Sequence, residues 1–173
     1  MQDIQQKARQ IKLVIFDVDG VLTDGSLFLG DDGQEYKAFN SRDGHGIKML
    51  QATGVEIAII TGRSSEVVRI RMESLGIQHV YQGKRDKLPA YLELRDSLGL
   101  KDEEVAYAGD DVVDLPIMRR VGLAIAVNDA HPFVLQHAHW QTPSSGGRGA
   151  GRDVCELLMD AQGKLQAALE SYL

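Results

Sequence analysis

The sequence is poor in several features that mark whole classes of proteins. Its 173 residues include one cysteine, Cys155, so no internal disulfide and no cysteine-based zinc cluster can form. No apolar run is long enough to cross a bilayer, and the first residues lack the apolar core of a signal peptide. We therefore expect a soluble, cytoplasmic protein with no membrane partner.

Positive charge is also scarce. The chain has 25 Asp and Glu against 19 Lys and Arg, a formal net charge of -6. This balance argues against a nucleic-acid partner, although a local basic pocket for a small anion stays open. Hydrophobic residues make up 43% of the chain, as in ordinary globular domains, and its length suffices for one sizeable core.

Apolar, β-branched runs alternate with helical patterns along the chain. The predicted strands are residues 13–16, 55–60, 79–82, 105–109 and 122–127. This alternation indicates βαβ units, and hence a right-handed parallel sheet with helices on both faces. We therefore predict an α/β fold with a Rossmann-like sheet, formed by one domain over residues 1–173.

Three segments depart from this alternation. Residues 25–39 contain two short apolar runs around a glycine-rich turn, which predicts a β-hairpin directly after the first strand. Residues 143–152 are rich in glycine and small polar residues, which predicts a flexible segment. An amphipathic helix is expected over about 153–170.

Polar side chains follow several predicted strands at the point where each strand ends. Asp17 and Asp19 follow the first strand, Thr61 follows the second, and Asp110 follows the fourth. These ends share one edge of a parallel sheet, where ligands bind in open α/β folds. Clustered carboxylates repel one another unless a cation joins them, and oxygen-only ligands suit Mg²⁺. The sequence therefore predicts a magnesium site at this edge.

A lysine and a threonine beside such a site would suit the oxygens of a phosphate. Lys87 opens a predicted helix, where the helix dipole also favours an anion, although Lys84 and Arg85 are alternatives. A carboxylate can attack phosphorus and form an aspartyl-phosphate, and a second carboxylate can serve as acid and then as base. The one-residue spacing lets Asp17 and Asp19 point the same way.

The four motifs resemble, in order, those of the haloacid-dehalogenase-like phosphatases. They are Phe16–Val21, Ile60–Arg63, Lys87 and Gly109–Asp114. The resemblance implies that Asp17 is the nucleophile and that Asp19 is the general acid/base. It also implies Mg²⁺ ligands from Asp17, from Asp110 and from the backbone carbonyl of Asp19, with Asp111 or Asp114 in support. Thr61 and Lys87 would hold the phosphoryl group.

A narrower resemblance is to the 3-deoxy-D-manno-octulosonate 8-phosphate phosphatase family. The segments that carry it are Asp17–Gly25, Asn40–Gly46, Gly109–Pro116 and Gly146–Arg152. The family implies a capless fold and a homotetramer built partly by the hairpin. It implies that the glycine-rich segment reaches a neighbouring site, with Arg148 and Arg152 as candidate contacts.

The same resemblance implies a small anionic sugar phosphate as substrate. The implied substrate contacts are Asn40, Arg42, Asp43, Gly44, Lys48, Arg63, Arg71 and Lys87. Ser41 and His45 depart from the residue types expected there, an apolar and an aromatic residue. A nonulosonate 9-phosphate or a nucleotide is therefore an alternative substrate.

Two alternatives of another class are a signalling receiver domain and a regulatory domain without activity. A receiver also uses a parallel sheet, Mg²⁺, an aspartate, a threonine and a lysine. It carries its acidic pair on the first strand and its acceptor on a middle strand, however, whereas here the Asp17–Asp19 motif comes first and Asp110–Asp111 last. The motif order therefore favours the phosphatase.

Overall fold

A computed structural model describes residues 2–173 of the chain. The strands are β1 Leu13–Phe16, β2 Phe28–Leu29, β3 Glu35–Tyr36, β4 Glu56–Ile60, β5 His79–Tyr81, β6 Val105–Gly109, β7 Leu123–Ala126 and β8 Trp140–Gln141. The helices are α1 Gln2–Arg9, α2 Ser41–Ala52, α3 Glu66–Ser74, α4 Leu88–Ser97, α5 Leu115–Met118, α6 Pro132–Leu135, α7 Ala150–Ala161 and α8 Leu165–Glu170. None of these helices has the length and apolar character needed to cross a membrane.

Six strands form one parallel sheet in the order β5-β4-β1-β6-β7-β8. The central strand β1 pairs along its whole length with β4 and β6, and all four of its side chains are buried. Such burial is expected for a parallel sheet covered by helices on both faces. The predicted α/β fold is therefore confirmed. The edge strand β8 was not expected, because its two residues offer no apolar run.

The hairpin lies within the predicted range. Strands β2 and β3 pair antiparallel, with Phe28 opposite Tyr36 and Leu29 opposite Glu35. They form a sheet of their own, and the apolar side chains Phe28, Leu29 and Tyr36 are exposed. Within residues 2–173 no cap domain stands over the carboxyl edge of the six-stranded sheet.

The glycine-rich segment, expected to be flexible, is hydrogen-bonded within its own chain. The Gly146 amide donates to Asp129 Oδ1 at 2.9 Å, and the Gly147 amide donates to the Val21 carbonyl at 2.9 Å. A Cβ at Gly146 would lie 1.8 Å from the Gly20 carbonyl oxygen. Small residues therefore allow this segment to pack directly against the loop that follows Asp19.

The expected C-terminal helix is divided into two. Helix α7 begins at Ala150, packs against α2 and α1, and ends before Gly163, whose φ is +68°. Glycine adopts this left-handed conformation without the steric cost that a Cβ brings. Helix α8 then starts at Leu165.

Candidate active site

A cavity of about 460 Å³ opens at the carboxyl edge of the sheet. Its lining residues are Asp17, Asp19, Thr61, Gly62, Arg63, Arg85, Lys87, Asp110, Asp111 and Val113. The fold therefore brings together residues from the ends of β1, β4 and β6 and from the start of α4. A larger cavity, of about 920 Å³, lies at the opposite edge and contains none of these residues.

Asp17 is held at this edge through both its backbone and its carboxylate. Its amide donates to the Ala108 carbonyl at 3.0 Å, which continues the pairing of β1 with β6 beyond Phe16. Its Oδ1 accepts from the Val18 amide at 2.7 Å, and its Oδ2 lies 2.9 Å from Lys87 Nζ. Burial and the nearby Asp114 carboxylate raise the pKa of Asp17 to about 6, although Lys87 opposes the shift.

Lys87 lies between two buried carboxylates. Its ammonium donates to Asp114 Oδ1 at 2.7 Å and also reaches Asp17. Burial alone would lower the pKa of Lys87, but the attraction and hydrogen bonds of Asp17 and Asp114 outweigh it and raise the pKa. The lysine therefore stays protonated at neutral pH and presents a fixed positive charge beside Asp17.

Asp114 organises the floor of the site, because each of its oxygens accepts two hydrogen bonds. Oδ1 accepts from Lys87 and from the Tyr107 hydroxyl, the latter at 2.6 Å. Oδ2 accepts from the amides of Asp110 at 3.0 Å and Asp111 at 3.2 Å. With its oxygens so engaged, Asp114 supports its neighbours. Asp111 itself is exposed, and its side chain accepts from the Val112 amide and caps the following turn.

The site fits a divalent cation. Carboxylate oxygens of Asp17, Asp110 and Asp114 all lie within 4.8 Å of one another. Each oxygen of Asp114 already accepts two hydrogen bonds, whereas each oxygen of Asp17 has one polar partner, so that Asp17 and Asp110 keep lone pairs for a metal. Burial, followed by repulsion from Asp114 and Asp17, raises the pKa of Asp110 to about 8. A cation would relieve this repulsion, and an oxygen-only donor set suits Mg²⁺.

The position of Asp110 depends on Gly20. A Cβ at Gly20 would lie 2.1 Å from Asp110 Oδ2, and the φ of Gly20 is +89°. Only glycine meets both conditions without strain. The glycine after the Asp17–Asp19 motif therefore leaves room for a carboxylate that is 90 residues away in the chain.

Asp19 contacts the hairpin. Its Oδ1 accepts a hydrogen bond from Lys37 Nζ, and its Oδ2 lies 4.0 Å from Arg63 Nε. Glu35 Oε1 lies 3.1 Å from the same lysine ammonium and accepts from Arg63 Nη2 at 2.9 Å. Hydrogen bonding by Lys37 and Arg63 lowers the pKa of Glu35, against the opposing effect of burial.

Three residues of this arrangement were not predicted, namely Glu35, Lys37 and Tyr107. Glu35 and Lys37 are separated by one residue at the end of β3, so that they share a side of the strand, and this spacing could have indicated a paired role. Tyr107 is the one residue of β6 with a polar group at its tip. No pattern in the neighbouring sequence predicts that Lys37 or Tyr107 contacts an acidic residue of the cavity.

Most of the implied substrate contacts lie away from this cavity. Of that set, Arg63 and Lys87 line it, whereas Asn40, Arg42, Asp43, Gly44, Lys48 and Arg71 do not. Asn40 instead caps α2 by accepting from the Arg42 amide at 2.8 Å. Asp43 is buried and accepts from the Arg152 amide at 2.9 Å.

The two candidate arginines of the glycine-rich segment have partners in their own chain. Arg148 Nη2 lies 3.2 Å from Asp24 Oδ2, and its side chain is exposed. Arg152 pairs with Glu156 one turn further along α7. His45, in the implied substrate loop, packs edge-on against the Tyr172 ring at a centroid distance of 5.3 Å.

Comparison with known proteins places this arrangement in a family. Residues 69–150 match the family model described as haloacid dehalogenase-like hydrolase. A 3-deoxy-D-manno-octulosonate 8-phosphate phosphatase of Yersinia pestis is 51% identical over 166 residues, which cover 96% of this chain and 89% of the relative. The chain belongs to the 3-deoxy-D-manno-octulosonate 8-phosphate phosphatase family of haloacid dehalogenase-like hydrolases. This membership favours a hydrolase over the receiver-like and inactive alternatives.

Solved structures of the family are similar over almost their full length. The phosphatase of Moraxella catarrhalis, solved with a magnesium ion, a phosphate ion and a KDO (3-deoxy-D-manno-octulosonate) molecule, is 42% identical with a TM-score of 0.98, and the match covers 100% of this chain and 99% of that one. A cobalt-bound phosphatase of Haemophilus influenzae is 41% identical with a TM-score of 0.91, covering 94% of this chain and 95% of that one.

Proposed function

We propose that the protein is a Mg²⁺-dependent phosphomonoesterase that hydrolyses KDO 8-phosphate to KDO and phosphate, a step toward lipopolysaccharide precursors. The observation that carries the proposal is the buried Asp17 carboxylate, which lies 2.9 Å from Lys87 and shares an oxygen cluster with Asp110. The choice of substrate rests on the family relatives at 51% identity.

The first step would transfer the phosphoryl group to Asp17. An oxygen of Asp17 attacks phosphorus, the bond between phosphorus and the sugar oxygen breaks, and an aspartyl-phosphate forms. The leaving alkoxide takes a proton from Asp19, whose side chain faces the same cavity. Lys87 and Thr61 orient the phosphoryl oxygens and offset their negative charge.

The second step would release phosphate. Asp19, now ionised, takes a proton from a water molecule, whose oxygen attacks phosphorus and expels the Asp17 carboxylate. The same residue therefore acts as acid and then as base, and the enzyme returns to its starting state. A Mg²⁺ ion held by Asp17 and Asp110 would supply additional neutralisation of the phosphoryl charge.

A substrate screen tests this assignment. Phosphate release would be measured with KDO 8-phosphate, a nonulosonate 9-phosphate, a nucleoside monophosphate and 4-nitrophenyl phosphate, with Mg²⁺ or EDTA. We expect the highest kcat/KM for KDO 8-phosphate, loss of activity in EDTA and its return with Mg²⁺. A higher kcat/KM for the nonulosonate ester would contradict the substrate, and hydrolysis in EDTA would contradict the metal site.

We also propose that the protein assembles as a homotetramer in which one subunit completes the substrate site of another. Support comes from the exposed apolar side chains of the hairpin, at Phe28, Leu29 and Tyr36. Further support is that Arg42 and Lys48, two implied substrate contacts on α2, are exposed and do not line the cavity of their own chain. The cytoplasmic location inferred from the single cysteine stays a prediction.

Subunit mixing tests the shared site. Asp17→Asn removes the nucleophile, and Arg42→Ala removes an implied substrate contact, so that each variant alone should be nearly inactive on KDO 8-phosphate. If a site combines Asp17 of one subunit with Arg42 of another, tetramers assembled from both variants contain some intact sites and regain activity. Light scattering gives the subunit number. A mixture of confirmed tetramers that stays inactive would contradict the shared site.

A further inference from the structure

Lys37 is a buried lysine that the catalytic scheme leaves without a role. It follows β3, where the hairpin returns toward the sheet, and its side chain is 0% exposed. Its ammonium donates to Asp19 Oδ1 and lies 3.1 Å from Glu35 Oε1. Removing an ammonium from water is unfavourable unless close partners replace the lost hydration. Asp19 is therefore one of two groups that make this burial possible.

Glu35 gives Lys37 a second partner that does not depend on Asp19. Glu35 Oε1 is in turn fixed by Arg63 Nη2 at 2.9 Å, and Arg63 Nε lies 4.0 Å from Asp19 Oδ2. Positive and negative groups therefore alternate around a closed ring, which consists of Lys37, Asp19, Arg63 and Glu35. If the Asp19 side chain turns toward a leaving oxygen, the lysine ammonium still has a carboxylate beside it, and no buried charge is left alone.

We propose that Lys37 is a positioning residue for Asp19, and that Glu35 holds Lys37 in place while Asp19 serves the substrate. The inference rests on the proposed function, because it requires that Asp19 be the general acid/base. Lys37 would fix the direction of the Asp19 carboxylate at the cavity, and a displacement of about 1 Å in a catalytic group can lower a rate on the order of 100-fold. The hairpin thereby becomes part of the catalytic apparatus.

The leaving group separates this role from a purely structural one. The alkoxide released from a sugar phosphate needs the Asp19 proton, whereas 4-nitrophenolate leaves without one. The value of kcat/KM covers the steps up to transfer of the phosphoryl group to Asp17. A misplaced Asp19 should therefore lower kcat/KM for the sugar ester more than for the aryl ester. A lysine that merely anchors the hairpin should affect both esters alike.

The experiment compares kcat/KM for KDO 8-phosphate and 4-nitrophenyl phosphate at saturating Mg²⁺. The variants are Lys37→Met, Lys37→Arg, Glu35→Gln and Asp19→Asn. In Lys37→Met we expect the ratio of sugar ester to aryl ester to fall about 10-fold or more. Lys37→Arg, which keeps the charge, should recover part of the ratio. In an Asp19→Asn background, Lys37→Met should lower the ratio no further.

Lys12→Met is the matched control. Lys12 also pairs with a glutamate, Glu104, at 2.6 Å, but at the opposite edge of the sheet, so that its loss should leave the ratio unchanged. Circular dichroism would check folding. If Lys37→Met does not fold, the test is whether Lys37→Arg lowers the ratio of sugar ester to aryl ester in part, as expected. If the wild type is active and Lys37→Met leaves the ratio unchanged, the inference is wrong but the proposed function stands. The same holds if Lys37→Met lowers the ratio further in the Asp19→Asn background. A wild type that hydrolyses neither ester would overturn the proposed function together with the inference.

Discussion

The two edges of the six-stranded sheet both carry a charged cavity, and they differ in how the charges are satisfied. At the amino edge the cavity is the larger, about 920 Å³, and its charges pair openly, as Lys12 does with Glu104 at 2.6 Å. The Lys12 hydrogen bond lowers the pKa of Glu104, as in an ordinary surface ion pair. At the carboxyl edge the smaller cavity gathers buried carboxylates whose pKa values are raised.

This difference shows why volume alone does not identify the site. Burial, and then repulsion between neighbouring carboxylates, raises the pKa of Asp17 to about 6 and that of Asp110 to about 8, so that holding these groups ionised has an energetic cost. A fold gains nothing in stability from such a cluster, so the cluster indicates a cation and catalysis. The amino edge has no comparable conflict, and its lysines are explained by their pairing.

The largest expected effect is a loss of catalysis on substitution at the carboxyl edge, compared with no loss at the amino edge. Asp17→Asn should lower kcat by about 10⁴-fold or more, because the nucleophile is lost. Glu104→Gln, at the amino edge, should leave kcat unchanged. Phosphate release from KDO 8-phosphate measures both. Substantial turnover by Asp17→Asn would contradict the assignment of Asp17 as the nucleophile, and the contrast between the two edges of the sheet would then no longer hold.

The next effect compares two lysines. Lys87→Met leaves the buried Asp17 and Asp114 carboxylates without their shared cation, and we expect unfolding free energy to fall by about 3–5 kcal/mol in metal-free buffer. Lys12 is 64% exposed, and its loss should change the unfolding free energy by about 0–1 kcal/mol. Urea denaturation measures both. Equal losses would mean that burial of the ion pair is unimportant.

The raised pKa values also predict a pH dependence with a definite sign. Between about pH 4 and 8 the folded, metal-free protein binds more protons than the unfolded chain, since the pKa of Asp110 is raised to about 8. The unfolding free energy should therefore fall as pH rises through this window. In EDTA, Tm should decline from pH 5 to 8, and Asp110→Asn should flatten the decline.

Mg²⁺ serves as the control for this pH effect. A bound cation favours the ionised carboxylates, so that saturating Mg²⁺ should remove most of the decline in Tm. Glu104→Gln should keep the wild-type profile, because its charge is paired at the other edge. A Tm that rises with pH in EDTA would contradict the raised pKa of Asp110.

The smallest expected effect compares two glycines. At the carboxyl edge, Gly146→Ala would push a Cβ to within 1.8 Å of the Gly20 carbonyl, and we expect a loss of about 1–3 kcal/mol together with weaker Mg²⁺ binding. At the amino edge, Gly54 has open space around it and only its φ of +89° disfavours alanine, for about 1 kcal/mol. Thermal unfolding and Mg²⁺ titration compare them. Unchanged Mg²⁺ binding in Gly146→Ala would separate the glycine-rich segment from the site.

The sequence by itself determined the sheet and which polar residues follow its central strands at one edge. Continuous apolar runs such as Leu13–Phe16 are typical of strands in a parallel sheet that is covered on both faces, and parallel strands place their following residues at one edge. Asp17, Thr61 and Asp110 could therefore be placed together from the sequence. The two-residue strand β8 and the division of the last helix escaped prediction, because short elements are stabilised by their neighbours rather than by their own pattern.

Only the tertiary structure decided what each charged group contacts. From the sequence motif, either Asp111 or Asp114 could support Asp110. The structure distinguishes the two, because Asp114 accepts four hydrogen bonds from groups of the site. The contact between Lys37 and Asp19 likewise joins a hairpin to a strand end, and no periodicity encodes such a distance. The spacing of apolar residues, which indicates strands and buried positions, can be read from a short stretch of sequence. The pairing of charged groups depends on how the whole chain packs.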